Sequence, residues 1–413
     1  MVEIANSVGV RRASTKDVVG KRPPATTASR DSDALAPLAA VGASPWRTLT
    51  ERAIEPNGYY LPEWALAVNA SAHGRTGVSA LRAWRVGSQT RDDAPRLIGL
   101  APVMSLWRAC KIPLPALVSA EPYGTLCTPL LDSGMANEAV ARMMRQAREA
   151  GAHALILRDV ALEGAAMKAF TESLSQSGMR PRVLHSRLRA CLDATRDADE
   201  LLHDALGSKK LKELRRQRHR LAEHGAVHFD VARTPSDVAA ALETFMALEA
   251  SGWKGKRGTA LIQDDGDASF ARRATVALAE TGQCQIMTLH AGDTPVAAAI
   301  VLRHQDRAFY FKLGVDERFA KFSPGVQLTL DLTRHLCADP AIATADSTAG
   351  PDHPMINPIW RGRFAIGDVL IPLRPHDPMV PLIHAAMTLR KWTRELARNA
   401  IRFIRKRREK ASR

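Results

Sequence analysis

The stretch Phe309-Tyr310-Phe311-Lys312-Leu313-Gly314-Val315-Asp316-Glu317-Arg318-Phe319-Ala320-Lys321-Phe322-Ser323-Pro324-Gly325-Val326-Gln327-Leu328 passes from strand to helix within one short run. Alternation predicts a strand with Phe309, Phe311 and Leu313 on one face and Tyr310, Lys312 and Gly314 on the other. The apolar face belongs to a core, which leaves the polar face toward a cleft. Ser323 is a natural N-cap, Pro324 suits a first helical turn, and Gly325 permits close approach of backbone to a ligand. A helix that starts there offers free N–H groups and a positive dipole end, with which proteins hold phosphate without a charged side chain. Ordinary capping of a helix is the competing reading of Ser-Pro-Gly.

Upstream of that stretch the periodicity predicts a strand over 227–232, a long helix over 235–251 with Val238, Leu242, Phe245, Met246 and Leu248 as its buried stripe, and a helix over 268–280 ending at Gly282. Strands at 285–290, 296–303 and 308–313, joined by tight turns, form a meander; downstream come short strands near 342–346 and 364–373. Residues 45–196 repeat this outline, with helices at 62–72, 137–151 and 163–177 and strands at 79–86, 97–104, 154–158 and 182–192. The fold class is therefore α/β (α+β), two copies of one unit with a mixed, mostly antiparallel sheet flanked by helices. Residues 1–44, rich in Ala, Ser, Thr and Pro, read as a disordered leader. The domains are then 45–196, a linking helix at 197–224, 225–375, and a tail at 376–413.

The chain of 413 residues has 58 Lys+Arg against 43 Asp+Glu, a net charge of +15 that sits in two places. Residues 209–220 carry seven cations and one Glu, and residues 390–413 carry eleven cations and two Glu, so the remainder is balanced. That excludes a basic groove spread over a folded surface. The first cluster is either a solvated helix between domains or a helix that binds phosphate or an acidic substrate. No apolar run reaches the ~20 clean residues a membrane span needs. The five cysteines, at 110, 127, 191, 284 and 337, lack the spacing of a zinc site or a disulfide framework, which fits a reducing cytoplasm. No metal is expected.

Four local patterns, in this order, carry a resemblance: the basic helix 209–221 before Gly225; Leu248-Glu249-Ala250-Ser251-Gly252-Trp253-Lys254-Gly255 with Gly258-Thr259-Ala260; Tyr310-Phe311-Lys312 with Asp316-Glu317 and Ser323-Pro324-Gly325; and Asp346 with Gly350, Asp352, His353 and Trp360. Residues 208–365 resemble the GNAT-superfamily acetyltransferase domains of the CelD/BcsL-like type, associated with cellulose and exopolysaccharide biosynthesis and related to the Fem transferases. The resemblance implies tandem GNAT-like domains, the first degenerate, with acetyl-CoA or a related acyl-CoA as co-substrate. It implies that Ser323, Pro324, Gly325, Val326 and Gln327 form the pyrophosphate loop, although a single glycine with a proline departs from the usual glycine-rich pattern. Direct transfer to an amine needs a base, an oxyanion holder and an acid for the leaving thiolate. Asp346, Asp316 and Glu317 are candidate bases, Tyr310 and Lys312 candidate acid and phosphate anchor, and Trp253, Lys254 and His353 candidate acceptor contacts. Each has a plainer reading as cap, surface charge, cross-strand pair or packing residue.

The implied activity is acyl transfer to an amino or hydroxyl group of a sugar precursor or cell-envelope polysaccharide. The alternatives are a noncatalytic accessory protein of a polysaccharide-synthesising complex and a Fem-like transferase using aminoacyl-tRNA. Gly325→Val is expected to weaken donor binding without unfolding the protein. On a helical wheel of the tail, Ala386, Leu389, Trp392, Leu396, Ala400, Phe403 and Ile404 share one side and Arg394, Arg398, Arg402 and Arg405 the other. That face either docks on the protein's own core or meets an anionic membrane, a nucleic acid or a protein partner. The expectation is a cytoplasmic protein, part of it held at the inner face of the membrane.

Overall fold

The computed structural model describes residues 35–85 and 95–411, with side chains to 396. In chain order the first half contains β1 (Ala36–Pro37), α1 (Ala43–Glu51), α2 (Pro62–Ser71), β2 (Ser79–Arg85), β3 (Arg96–Ser105), α3 (Leu106–Cys110), β4 (Ala116–Ser119), β5 (Leu130–Leu131), α4 (Ala136–Glu149), β6 (Ala154–Ala161), α5 (Ala165–Ser175) and β7 (Arg182–Asp193). Next comes α6 (Ala198–Leu221). The second half follows as β8 (Val227–Ala232), α7 (Pro235–Ser251), α8 (Trp253–Lys256), α9 (Asp265–Glu280), β9 (Cys284–Ala291), β10 (Thr294–His304), β11 (Arg307–Val315), α10 (Pro324–Cys337), β12 (Thr344–Asp346), α11 (Ile356–Ile359) and β13 (Gly362–Pro372). The long α12 (Met379–Ala411) closes the chain.

All strands join one sheet in the order β1-β2-β3-β4-β6-β13-β7-β12-β11-β10-β9-β8, with β5 set beside β3. Its two halves are built alike: each has antiparallel strands and one parallel pair, β4 with β6 in the first and β11 with β12 in the second. The α/β class and the repeat read from the pattern are the observed ones. The central strands are exchanged. β7 of the first half lies between β12 and β13, and β13 of the second half pairs with β6 of the first.

Local chemistry explains the helices that frame the second half. The Thr234 hydroxyl accepts from the Asp237 amide and Pro235 occupies the first turn of α7, while Asp264 caps α9 through the Asp267 amide. β10 carries an unbroken buried run from Val296 to Leu302, as a strand covered on both faces requires. Tyr59, Leu61 and Trp64 of the first half share one core with Phe245, Phe270 and Phe309 of the second. The His304 ring spans the same junction: its Nδ1 accepts from the Asn57 amide at 2.8 Å and its Nε2 donates to the Thr50 carbonyl at 3.0 Å.

One expected boundary and one expected role change. The leader was expected to reach residue 44, yet Ala36 and Pro37 pair with β2, and Leu38, Val41 and Trp46 are buried, because the first core needs their apolar surface. Residues 1–34 of that leader lie outside the described residues. The basic helix is also more than a solvated link. α6 breaks at Gly207, where φ is 71°, and buries Leu202, Leu211, Leu214 and Leu221 in the second half's core with α10 and β9.

Candidate active site

β11 begins in regular register with β10, but the register slips between Tyr310, opposite Val301, and Lys312, opposite Ile300. Phe311 is therefore an extra residue, a bulge, and the alternation predicted for this strand does not survive it. Phe309 packs edge-on against Tyr59, and the Tyr310 hydroxyl turns toward α10, 3.2 Å from Thr329 Oγ1. Past the bulge, Lys312 and Gly314 face α7, whereas Leu313 and Val315 face α10. Tyr310 and Lys312, expected on one polar face, lie on opposite faces of the strand.

Glu249, near the end of α7, organises the Lys312 side. Its Oε1 accepts from Lys254 Nζ at 2.8 Å and from Lys312 Nζ at 3.1 Å, and its Oε2 from the Leu261 amide at 2.8 Å. Burial opposes the charge, but the two ammonium groups and the amide hold the carboxyl below its usual range. Burial also lowers the Lys312 ammonium, and Glu249 opposes that shift. Lys254 further donates to the Leu313 carbonyl at 3.1 Å, so it locks the 252–261 segment onto the bulged strand. Trp253 is exposed, with Arg257 stacked over its ring. Asp316 caps the turn after β11 by accepting from the Arg318 amide, and the Arg318 guanidinium lowers its carboxyl pKa. Glu317 pairs with Lys256 at 2.7 Å, which lowers its carboxyl too.

On the other face lies the start of α10. Ser323 is left-handed, with φ 54°, and its hydroxyl makes no capping bond, so the expected side-chain cap is absent; only its carbonyl serves, accepting from the Gln327 amide at 3.0 Å. Pro324 has no N–H, and the amides of Gly325 and Val326 have no acceptor within the helix. Gly325 is buried. A Cβ there would stand 3.0 Å from Leu313 Cδ2 and 3.2 Å from Val315 Cγ2, so the glycine lets α10 close on its own strand rather than on a ligand. Nor does the Gln327 side chain face a ligand: its Nε2 donates to the Leu214 carbonyl at 2.8 Å, which ties the basic helix α6 to the first turn of α10. His353 Nδ1 lies 3.4 Å from the amides of Met355 and Ile356, at the entry to α11.

The two faces meet where β11 and β12 part. Parallel pairing ends at Phe309 opposite Asp346, and beyond it the Thr348 hydroxyl donates to the Tyr310 carbonyl at 2.6 Å. Asp346 is fully engaged: Oδ2 accepts from Arg189 Nη1 at 3.1 Å and Oδ1 from the Thr348 amide at 2.7 Å. Arg189, wholly buried, also donates to the Thr125 carbonyl, while its Nε finds no acceptor among the described residues.

A bulged strand, a fork between two parallel strands and a helix that starts beside them form the geometry of the second half. Residues 208–353 match the acetyltransferase (GNAT) domain family. Over this stretch the chain is similar to a GNAT-type acetyltransferase domain. The whole chain is similar in fold to FemX, at 14% identity and TM-score 0.53, over 83% of this chain and 98% of that one. It is also similar to the C-terminal domain of a putative lysylphosphatidylglycerol synthetase from Agrobacterium fabrum, at 12% identity and TM-score 0.50, over 83% and 95% of the two chains. A conserved protein from Bacteroides thetaiotaomicron is similar at 10% identity and TM-score 0.50, over 80% of this chain and 98% of that one. No curated protein matches the sequence.

The GNAT-like stretch meets the first half beside its fork, where β12 pairs with β7 and Arg189 bridges Asp346 to the Thr125 carbonyl. Before the fork, against the paired beginnings of β11 and β12, lies a cavity of about 600 Å³, bounded by Glu55 and Glu163 of the first half and by Asp306, Arg307 and Asp346 of the second, with Cys191 of the exchanged strand β7 between them. Burial raises the Glu55 carboxyl, against the opposing effects of the Ala166 amide, 3.2 Å from Oε2, and of Arg307. Burial raises the Cys191 thiol as well. The structure thus gathers Tyr310, the 323–327 turn and, through Met355 against Gly325, the His353 turn on one face of β11. Trp253, Lys254, Lys312, Asp316 and Glu317 lie on or beyond the other, with Asp346 at the fork. Sequence reasoning missed Glu55, Arg189 and Arg307, none of which stands in a motif. Glu249 stood inside a quoted one. The metal-type cluster among the described residues, His228, Asp230 and His290, is on the outer strands β8 and β9, away from the fork.

Proposed function

We propose that the protein is an acyltransferase whose acyl donor runs along the bulged part of β11 and whose acceptor enters the cavity between the halves. The observation that carries this reading is the place of Asp346: it ends the parallel pairing of β11 and β12 within the GNAT-like stretch and lines a cavity that both halves wall. The donor is an acyl-CoA, a thioester that supplies an activated carbonyl. Its phosphates would rest on the free amides of Gly325 and Val326, beside the exposed Lys212, Arg215 and Arg216 of α6. The acceptor is an amine or hydroxyl of a sugar precursor or cell-envelope polysaccharide, as in the CelD/BcsL-like type. Four carboxyl groups against one guanidinium on the cavity wall favour the amine.

Asp346, held by Arg189 and Thr348, acts as a positioning residue in this reading. Glu55 is the base. Its carboxylate takes the proton that the acceptor nitrogen loses as the new C–N bond forms, and the departing thiolate takes a proton from solvent. Because its pKa is raised, the acid limb of kcat/KM should lie above the ~4.3 of an ordinary glutamate.

The test is thiol release from acetyl-CoA in the presence of amino sugars. Glu55→Gln should lower kcat by at least about 100-fold at an unchanged melting temperature. Undiminished activity in that variant would remove Glu55 from the chemistry, and failure to bind any acyl-CoA by calorimetry would remove the donor. The exposed cations of α6 favour one second reading, a Fem-like transfer from aminoacyl-tRNA. Transfer that depends on tRNA without CoA affinity would select it, and absence of both activities would leave the accessory role.

A further inference from the structure

The helix α12 has two apolar faces, and the protein uses one. Val380 and Ile383 are buried and Met387 packs beside them, against Leu106, Val118 and Ile156 of the first half, and Arg390 Nε donates to the Cys110 carbonyl at 3.1 Å. Leu382, Leu389, Trp392 and Leu396 stand 56%, 62%, 61% and 50% exposed. At about 100° per residue these four fall within one arc, turned away from the docked face. Of the alternatives for this face, docking of Leu389, Trp392 and Leu396 on the protein's own core is therefore not what the structure does. An aligned row of large apolar side chains beyond what folding needs marks a contact surface.

Charge says what it contacts. On the docked side of the helix, across from the row, Arg390, Lys391 and Arg394 join Arg158 and His185 around a cavity of about 330 Å³, which holds two carboxylates, Glu121 and Asp368. The helix runs on to Ala411 through a segment with Arg398, Arg402, Arg405, Lys406, Arg407, Arg408 and Lys410 against Glu409 alone. A folded protein partner with an apolar groove would not need so many cations, whereas a bilayer of anionic lipid offers apolar depth and a phosphate layer side by side. No helix among the described residues is long and apolar enough to cross a membrane.

We propose that α12 lies along the surface of an anionic lipid bilayer, with Leu389, Trp392 and Leu396 at the acyl boundary and the basic segment 398–410 supplying the attraction to the phosphate layer. The docked face then works as a rigid mount that fixes the orientation of the sheet, and with it the cavity beside Asp346, relative to the membrane.

The experiment is sedimentation of the full chain with vesicles of mixed phosphatidylglycerol and phosphatidylcholine, or of phosphatidylcholine alone. Binding to the anionic vesicles at low salt, at least tenfold weaker to neutral ones and reversed by about 0.5 M salt, is the expected result. Trp392→Ser with Leu396→Ser should weaken binding by at least about tenfold while the melting temperature holds, since both side chains are exposed in the free protein. Lys406→Glu with Lys410→Glu should weaken it severalfold without loss of structure. Full-length protein that ignores anionic vesicles, or a double variant that binds them as well as the parent, would overturn the proposal. So would a dimer in solution that the double variant converts to monomer, because a second copy would then cover the row.

Discussion

Gly325 illustrates how one residue type admits two explanations. A glycine at a helix start permits close approach of a phosphate, and it equally permits close approach of a strand. The distances decide for the strand, since a Cβ would press on Leu313 and Val315. Gly325→Val is therefore expected to destabilise the fold by about 1–3 kcal/mol through overpacking, read as a lower urea midpoint, in addition to any effect on donor binding. A variant that melts like the parent would restore the ligand explanation. The pyrophosphate reading of the turn now rests on the amides of Gly325 and Val326, which no side-chain motif reveals.

Among the elements, the segment after α7 shows what a sequence signature can and cannot say. Its order was legible in Glu249, Trp253, Lys254 and Gly258, but its job depends on the bulge at Phe311, which turns Lys312 toward Glu249. Bulges leave no reliable trace in alternation, because one inserted residue simply exchanges the faces beyond it. Lys254→Met would leave the Leu313 carbonyl without its donor and Glu249 with one ammonium fewer. The expected cost is about 1–3 kcal/mol, because Lys312 and the Leu261 amide still serve the carboxylate. Faster amide exchange at Leu261 and along 252–264, relative to the parent, would show the lock released; unchanged exchange there would assign Lys254 elsewhere.

At the scale of the whole molecule the exchange of β7 and β13 makes the halves interdependent. Without β13, β6 keeps an exposed edge, and without β7 so does β12. Fragments 1–196 and 197–413 made separately are expected to lack a cooperative thermal transition by circular dichroism, whereas the two produced together should recover it. A sharp transition in either fragment alone would show that a half suffices. The His304 bridge to Asn57 and Thr50 and the aromatic core around Tyr59 and Phe309 join the same halves.

By itself the sequence determined what depends on neighbours along the chain. Helix and strand periods, the capping residues Thr234 and Asp264, the repeated α/β outline and the ordered patterns between 208 and 365 are all local, so they survive without coordinates. Only the tertiary structure decided which strands pair across the repeat, which face of β11 each residue after Phe311 takes, and which of two apolar faces of α12 is buried. It also brought Glu55 to the cavity that Asp346 lines, and Arg189 to the Asp346 carboxylate, over separations of 291 and 157 positions in the chain. Those outcomes follow from competition for burial and for hydrogen-bond partners among distant segments, and no local pattern encodes who wins.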